Sequence, residues 1–220
     1  MLKIFSLVAA VCIFGGVAHA DTVAVVTFDN LPAGPSYFSA AGPAQTITPV
    51  AGVATFSGGV ILGNASSFPA IVYATAPNTY ATASFGDSLP STLTISIDPS
   101  FTANEVSFAL FNGLTSPQSY FVNAYNGATL VASQNFPSIP ANSASGYALA
   151  DLLASSITSV TITPTDISGG WDFLLDTVAF NESIDQAVNP TVPEPSSLVL
   201  LGSGLAAAAG EIYRRACRKA

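Results

Sequence analysis

Between Lys3 and Arg214 the 220-residue chain contains no lysine and no arginine, and its one histidine is His19. Its two cysteines, Cys12 and Cys217, stand near opposite ends. A domain built between these ends lacks the parts for a Ser-His-Asp or Cys-His triad, a Schiff base, a zinc site of the usual ligands or an Arg phosphate clamp. No disulfide can brace it either, so its fold must rest on an apolar core. Residues 21–185 are long enough to bury one as a single domain.

What the middle does contain is acid. Of 13 carboxylates, eleven fall from Asp21 to Asp185, and the chain carries a net charge of -8. Nucleic acid and anionic headgroups are bound through cations that displace counterions, so neither is an expected partner. Glycoside hydrolysis needs only two carboxylates. No pair is singled out by its context, and the expectation is a protein that is not an enzyme.

The two ends have a different character. Lys3, the apolar residues 4–17 and Ala18-His19-Ala20 have the order of a secretory signal peptide, which predicts cleavage after Ala20 by signal peptidase following passage through the translocon. At the other end come Val192-Pro193-Glu194-Pro195, an apolar run over 198–209, then Arg214, Arg215, Arg218 and Lys219. The prolines hold an extended segment, the apolar run partitions into a bilayer, and the basic cluster stays cytoplasmic. The organisation expected is therefore a signal peptide at 1–20, a β-sandwich domain at 21–185, a linker at 186–195, a transmembrane helix at 196–213 and a basic tail at 214–220. The span is thin: Glu211 interrupts it, and 198–210 falls short of a standard crossing. A terminal amphipathic or buried helix is the rival, but 198–209 is apolar on every face.

Within the domain, polar and apolar residues alternate with period two. Ser91-Thr92-Leu93-Thr94-Ile95-Ser96-Ile97 is one such run, and 106–110, 120–125 and 157–163 are others. Turn signals separate them, among them Asp98-Pro99-Ser100, Asn112-Gly113, Asn126-Gly127 and Ser168-Gly169-Gly170. Further strands are predicted at 23–28, 53–56, 59–62, 70–75, 80–85, 129–136 and 173–180, and a single helical turn at 148–155. The fold class expected is all-β, an antiparallel jelly-roll-like β-sandwich flanked by an N-terminal signal helix and the C-terminal transmembrane helix.

First and last strands of a jelly roll are commonly neighbours, which would bring together Asp29, Asp172, Asp176 and Glu182. Clustered carboxylates without a basic partner are tolerable when a hard cation sits among them, so these four are candidate calcium ligands. The plainer alternative has each acid facing water or bonding a turn amide. Trp171, the only tryptophan, is either a stacking platform for a sugar ring or a cap on the core.

The tail resembles the PEP-CTERM sorting signal of Gram-negative bacteria, through Pro193-Glu194-Pro195, the apolar run with Gly202-Ser203-Gly204, and Arg214-Arg215. That resemblance implies recognition and cutting by an exosortase, a membrane-embedded processing enzyme, with Pro193, Glu194 and Pro195 as the recognised element. It implies an inner-membrane intermediate that moves on to the cell surface or the extracellular space. Phe28-Asp29, residues 58–62, Val106-Ser107-Phe108 and residues 171–180 resemble strand phrases of the β-sandwich cargo such tails carry, which implies a carbohydrate-binding or discoidin-like sandwich and no established activity. The expected role is structural or adhesive in an exopolysaccharide layer. A calcium-dependent lectin-like module is the alternative, and a glycoside hydrolase the third.

Overall fold

A computed structural model describes residues 21–32, 44–63, 72–75, 77–82, 92–141, 146–165 and 173–189. Its elements are β1 (Ala24–Val26), β2 (Gln45–Val50), β3 (Ala54–Gly63), β4 (Asn78–Thr82), β5 (Leu93–Ile97), β6 (Ala103–Asn112), β7 (Gln118–Asn126), β8 (Thr129–Ile139), β9 (Tyr147–Ile157), β10 (Ser159–Pro164), β11 (Phe173–Phe180) and a short helix α1 (Ile184–Val188). Every strand pairing is antiparallel, in the order β8-β7-β10-β5-β3-β4-β11-β6-β9, with β1 added to β11 and β2 to β3. The antiparallel all-β class expected from the alternation is the class observed. The predicted signal helix and transmembrane helix lie outside the described residues. Among the described residues, no helix is long and apolar enough to cross a membrane.

One strand joins two groups of strands. The first half of β3 pairs with β5 (Phe56 opposite Ile95) and its second half with β4 (Ile61 opposite Tyr80). Between the halves lie Gly58 and Gly59, and both must be glycine. Gly58 has φ +91°, and a Cβ there would stand 2.3 Å from the Thr92 carbonyl oxygen; a Cβ on Gly59 would meet the Ala81 carbonyl oxygen at 2.5 Å. The Gly59 N–H donates to the Tyr80 hydroxyl at 3.0 Å, and that hydroxyl donates to the Gln45 carbonyl at 2.7 Å. Tyr80 is fully buried beside Phe28 and Phe56, with ring centroids 5.7 and 6.0 Å away.

The core fills from inward-facing residues of both groups. Tyr120, Val122 and Ala124 of β7 share one apolar cluster with Val106, Phe108 and Leu110 of β6. Across it, the Tyr120 and Phe173 rings meet edge to face at 5.6 Å. Strand β11 is buried along its whole length. Phe173 and Leu175 point into this core, whereas Leu174 joins a second cluster with Val60, Leu62, Ala81, Ala109 and Phe111 on the other side of the sheet. The register slips between Asp176 and Val178, so Thr177, at φ 40°, is the extra residue of a bulge. That slip resets the alternation, and Val178 and Phe180 return to the main core.

The opposite side of the β8-β7-β10-β5-β3 group faces outward and is tiled in register. Ser133, Asn123, Thr161, Thr94 and Ser57 form one continuous row across five strands. A second row runs Tyr125, Ser159, Ser96, Thr55, and Phe121 lies opposite Thr163 in a third. Hydroxyls bond across strands here, Thr92 to Thr163 at 3.2 Å and Thr48 to Thr55 at 3.0 Å.

Four expectations need correction. Residues 148–155 do not form a helical turn; they lie within β9, where Leu152 pairs opposite Val106, and ladder pairing overrides the helix propensity of their Ala and Leu. The described part of the predicted strand at 70–75, residues 72–75, is a non-strand segment packed over the second apolar cluster through Tyr73 and Ala74. Segments 53–56 and 59–62 are one bent strand. Finally, β2 and α1 were not among the predicted elements.

Candidate functional site

Asp176 is the most constrained carboxylate of the described residues. It stands on β11 just before the bulge, fully buried, and faces the 72–75 segment. Four donors converge on it: the Thr75 N–H at 3.0 Å, the Thr75 hydroxyl at 2.9 Å, the Thr177 N–H at 2.7 Å and, at a longer 3.5 Å, the Thr177 hydroxyl. Burial drives its pKa up from 3.8 to about 7, opposed by the three shorter of those hydrogen bonds and assisted weakly by the negative charge of Asp29. Asp29 takes the Asn78 N–H at 3.0 Å, while the Asn78 side-chain amide donates to the carbonyls of Phe28 and Leu31. The segment is pinned at its other end by Tyr73, whose hydroxyl donates to Asp185 of α1 at 2.5 Å. The first turn, residues 72–75 and 77–78, and the last strand are thus tied together by carboxylates.

A second acidic group lies elsewhere. Glu105 on β6 and Asp151 on β9 share a side-chain hydrogen bond, and Glu182 is within electrostatic reach. Desolvation and the two neighbouring negative charges hold Glu105 above the usual carboxylate range; desolvation does the same for Glu182. The Glu182 carbonyl accepts the Ser107 hydroxyl at 2.7 Å.

Of the four candidate calcium ligands, then, Asp29 and Asp176 come within electrostatic reach of one another, Glu182 keeps company with Glu105 and Asp151, and Asp172 lies outside the described residues. Among the described residues no group of three or more His, Cys, Asp or Glu side chains is placed to hold a metal ion. Trp171, the cleavage residues Ala18 and Ala20, the element Pro193, Glu194 and Pro195, and Arg214 and Arg215 also lie outside them. Sequence reasoning missed Thr75 and Asn78, which grip the two acids. Their signal was weak: a Thr and an Asn in a segment read partly as strand.

Charge is divided between the two groups of strands. Eight of the eleven strands contain no acidic or basic residue, among them all five of the β8-β7-β10-β5-β3 group, whereas β6, β9 and β11 each carry a carboxylate. The molecule is therefore an antiparallel β-protein in which the strands of the β8-β7-β10-β5-β3 group present an uncharged, hydroxyl-rich outer face. To that domain it adds, over residues 191–219, the PEP-CTERM protein-sorting motif, as Pro193-Glu194-Pro195 led one to expect. No curated protein matches the chain. Among solved structures it is similar to the K2 cleaved adhesin domain of Lys-gingipain, at 15% identity over 72% of this chain and 99% of that one, with a TM-score of 0.41. The K1 cleaved adhesin domain of Lys-gingipain from Porphyromonas gingivalis W83 gives 14% identity, 72% and 97% coverage, and a TM-score of 0.40. A family 35 carbohydrate binding module from Clostridium thermocellum gives 13% identity, 58% and 90% coverage, and a TM-score of 0.34. At such scores the likenesses are distant.

Proposed function

We propose that this chain is an exported protein, held briefly in the inner membrane by residues 196–213, trimmed near Pro193-Glu194-Pro195 by an exosortase-type enzyme, and released as a surface or matrix protein. Its β-domain, of jelly-roll sandwich type, acts as a structural or adhesive part of an exopolysaccharide layer and catalyses nothing. The observation that carries this reading is the sorting motif at 191–219. Two features of the domain support it. A fold without Lys, Arg or His from Asp21 to Asp185 has few tools for catalysis or for holding anionic partners. Among the described residues, Glu105 and Asp151 are near enough to share a hydrogen bond, whereas the two carboxylates of a glycosidase stand about 5–9.5 Å apart around substrate and water.

The test is made in the producing cell. Glu194→Ala and Pro195→Ala should leave export intact and strand the protein in the inner membrane with its tail attached. Arrival of either variant at the surface in parental amount would overturn the proposal. So would hydrolysis of a polysaccharide by the purified protein that Glu105→Gln or Asp151→Asn abolishes.

A further inference from the structure

We propose that the outer face of the β8-β7-β10-β5-β3 group binds a neutral polysaccharide laid across its strands. The inference begins from charge. Solvent-facing sheet surfaces ordinarily carry Lys and Glu, which keep them soluble and discourage pairing with other chains. Here all five strands of the face carry none, in a chain of net charge -8. An anionic polymer is repelled by that net charge, and a cationic one finds its counterions around Glu105, Asp151 and Glu182. The neutral face is complementary to an uncharged, hydroxylated chain.

Geometry supplies the second argument. The row Ser133, Asn123, Thr161, Thr94, Ser57 presents one short polar group per strand. Neighbouring strands lie about 4.8 Å apart, which is close to the repeat of an extended pyranose chain. Hydroxyl and amide groups on short side chains lose little rotamer freedom on contact. Some are already oriented, as in the Thr92 to Thr163 bond at 3.2 Å. Phe121, 45% exposed beside this row, offers an aromatic surface to a sugar ring. The proposal rests on the export reading above, which brings the domain among extracellular polymers.

The purified full chain is mixed with insoluble neutral glycans, namely microcrystalline cellulose, curdlan, starch granules and mannan, and depletion isotherms are read after pelleting. At least one of these glycans should retain the protein, equally at low and high salt and with or without EDTA. Thr161→Arg and Phe121→Ala should each weaken that retention at least tenfold while melting like the parent. Should Thr161→Arg lose its cooperative melt, Ser133→Arg, at the exposed end of the same row, takes its place. Absence of retention on all four glycans, retention unchanged in the variants, or retention lost with salt or EDTA would overturn the proposal. So would a dimer in sedimentation that Thr161→Arg dissociates, since a second copy would then be the occupant. Export is read separately: failed pelleting with normal trimming in cells removes this proposal alone, and failed trimming with intact pelleting removes only the export reading.

Discussion

Asp176 gives the domain a stability that falls as the solution becomes more alkaline. Its carboxyl titrates near 3.8 when the chain is unfolded and at about 7 when folded, because burial disfavours the charged form. Between those values the folded state holds a proton that the unfolded state has released. The stabilisation is thus complete below the unfolded pKa and is lost as pH rises through the folded one. Three pKa units correspond to about 4 kcal/mol across the window, and about 2.5 kcal/mol of that falls between pH 5 and pH 8. Glu105 and Glu182, also raised, slope the same way, and Asp98, lowered by its bonds from Ser100, slopes the other way. The contribution of Asp176 is isolated by comparison with Asp176→Asn, which keeps the shape and cannot ionise. Urea unfolding of both proteins from pH 5 to pH 8 should show the difference between them widening by about 2.5 kcal/mol in favour of the variant. A constant difference, or one that moves in favour of the parent with rising pH, would refute the reasoning.

A cation seated between Asp29 and Asp176 would pull the Asp176 pKa down and flatten that slope between pH 5 and pH 8, so the pH series repeated with excess calcium and with EDTA should superimpose, and a flatter series in calcium would reveal a bound cation. Gly58→Ala should destabilise the protein by about 2–4 kcal/mol in denaturant melts, because its new methyl meets the Thr92 carbonyl and φ +91° suits only glycine; a loss under about 1 kcal/mol would argue against the bend. Tyr80→Phe leaves the buried Gly59 N–H and the Gln45 carbonyl without their partner and should cost about 1–3 kcal/mol, with fluorescence and circular dichroism reporting one coincident transition.

The period-two runs made most strands legible, since a sheet with one buried face imposes that alternation on its residues. Strand β11 had the right limits even though it is buried on both faces, because Leu174 and Asp176 occupy the side that a half-buried strand would leave to water. Where legibility failed, the cause was tertiary. Tyr147–Ile157 is rich in Ala and Leu, and only the ladder to β6 makes it extended. Helix α1 was missed although its capping box, Ser183 with Gln186, was present in the sequence, because five residues are too few to show a helical period. Among the acids, sequence reasoning brought Asp29 and Asp176 to one region through the neighbouring first and last strands. It misplaced Glu182 because the turn after β11, with Asn181 at φ 61°, carries that residue toward β6 and β9 instead. The neutral face was hidden for a simpler reason: which polar residues of distant strands share a row is decided by register, and register is not written in any single strand.

The most direct measurement of the central claim, that the C-terminal segment is a sorting signal and not part of the working protein, is the intact mass of the form recovered from the surface or medium of the producing cell. A chain that starts at Asp21 and ends near Pro195, with whatever group the processing step leaves there, is the predicted result. A surface form that still ends in Ala220 would contradict it.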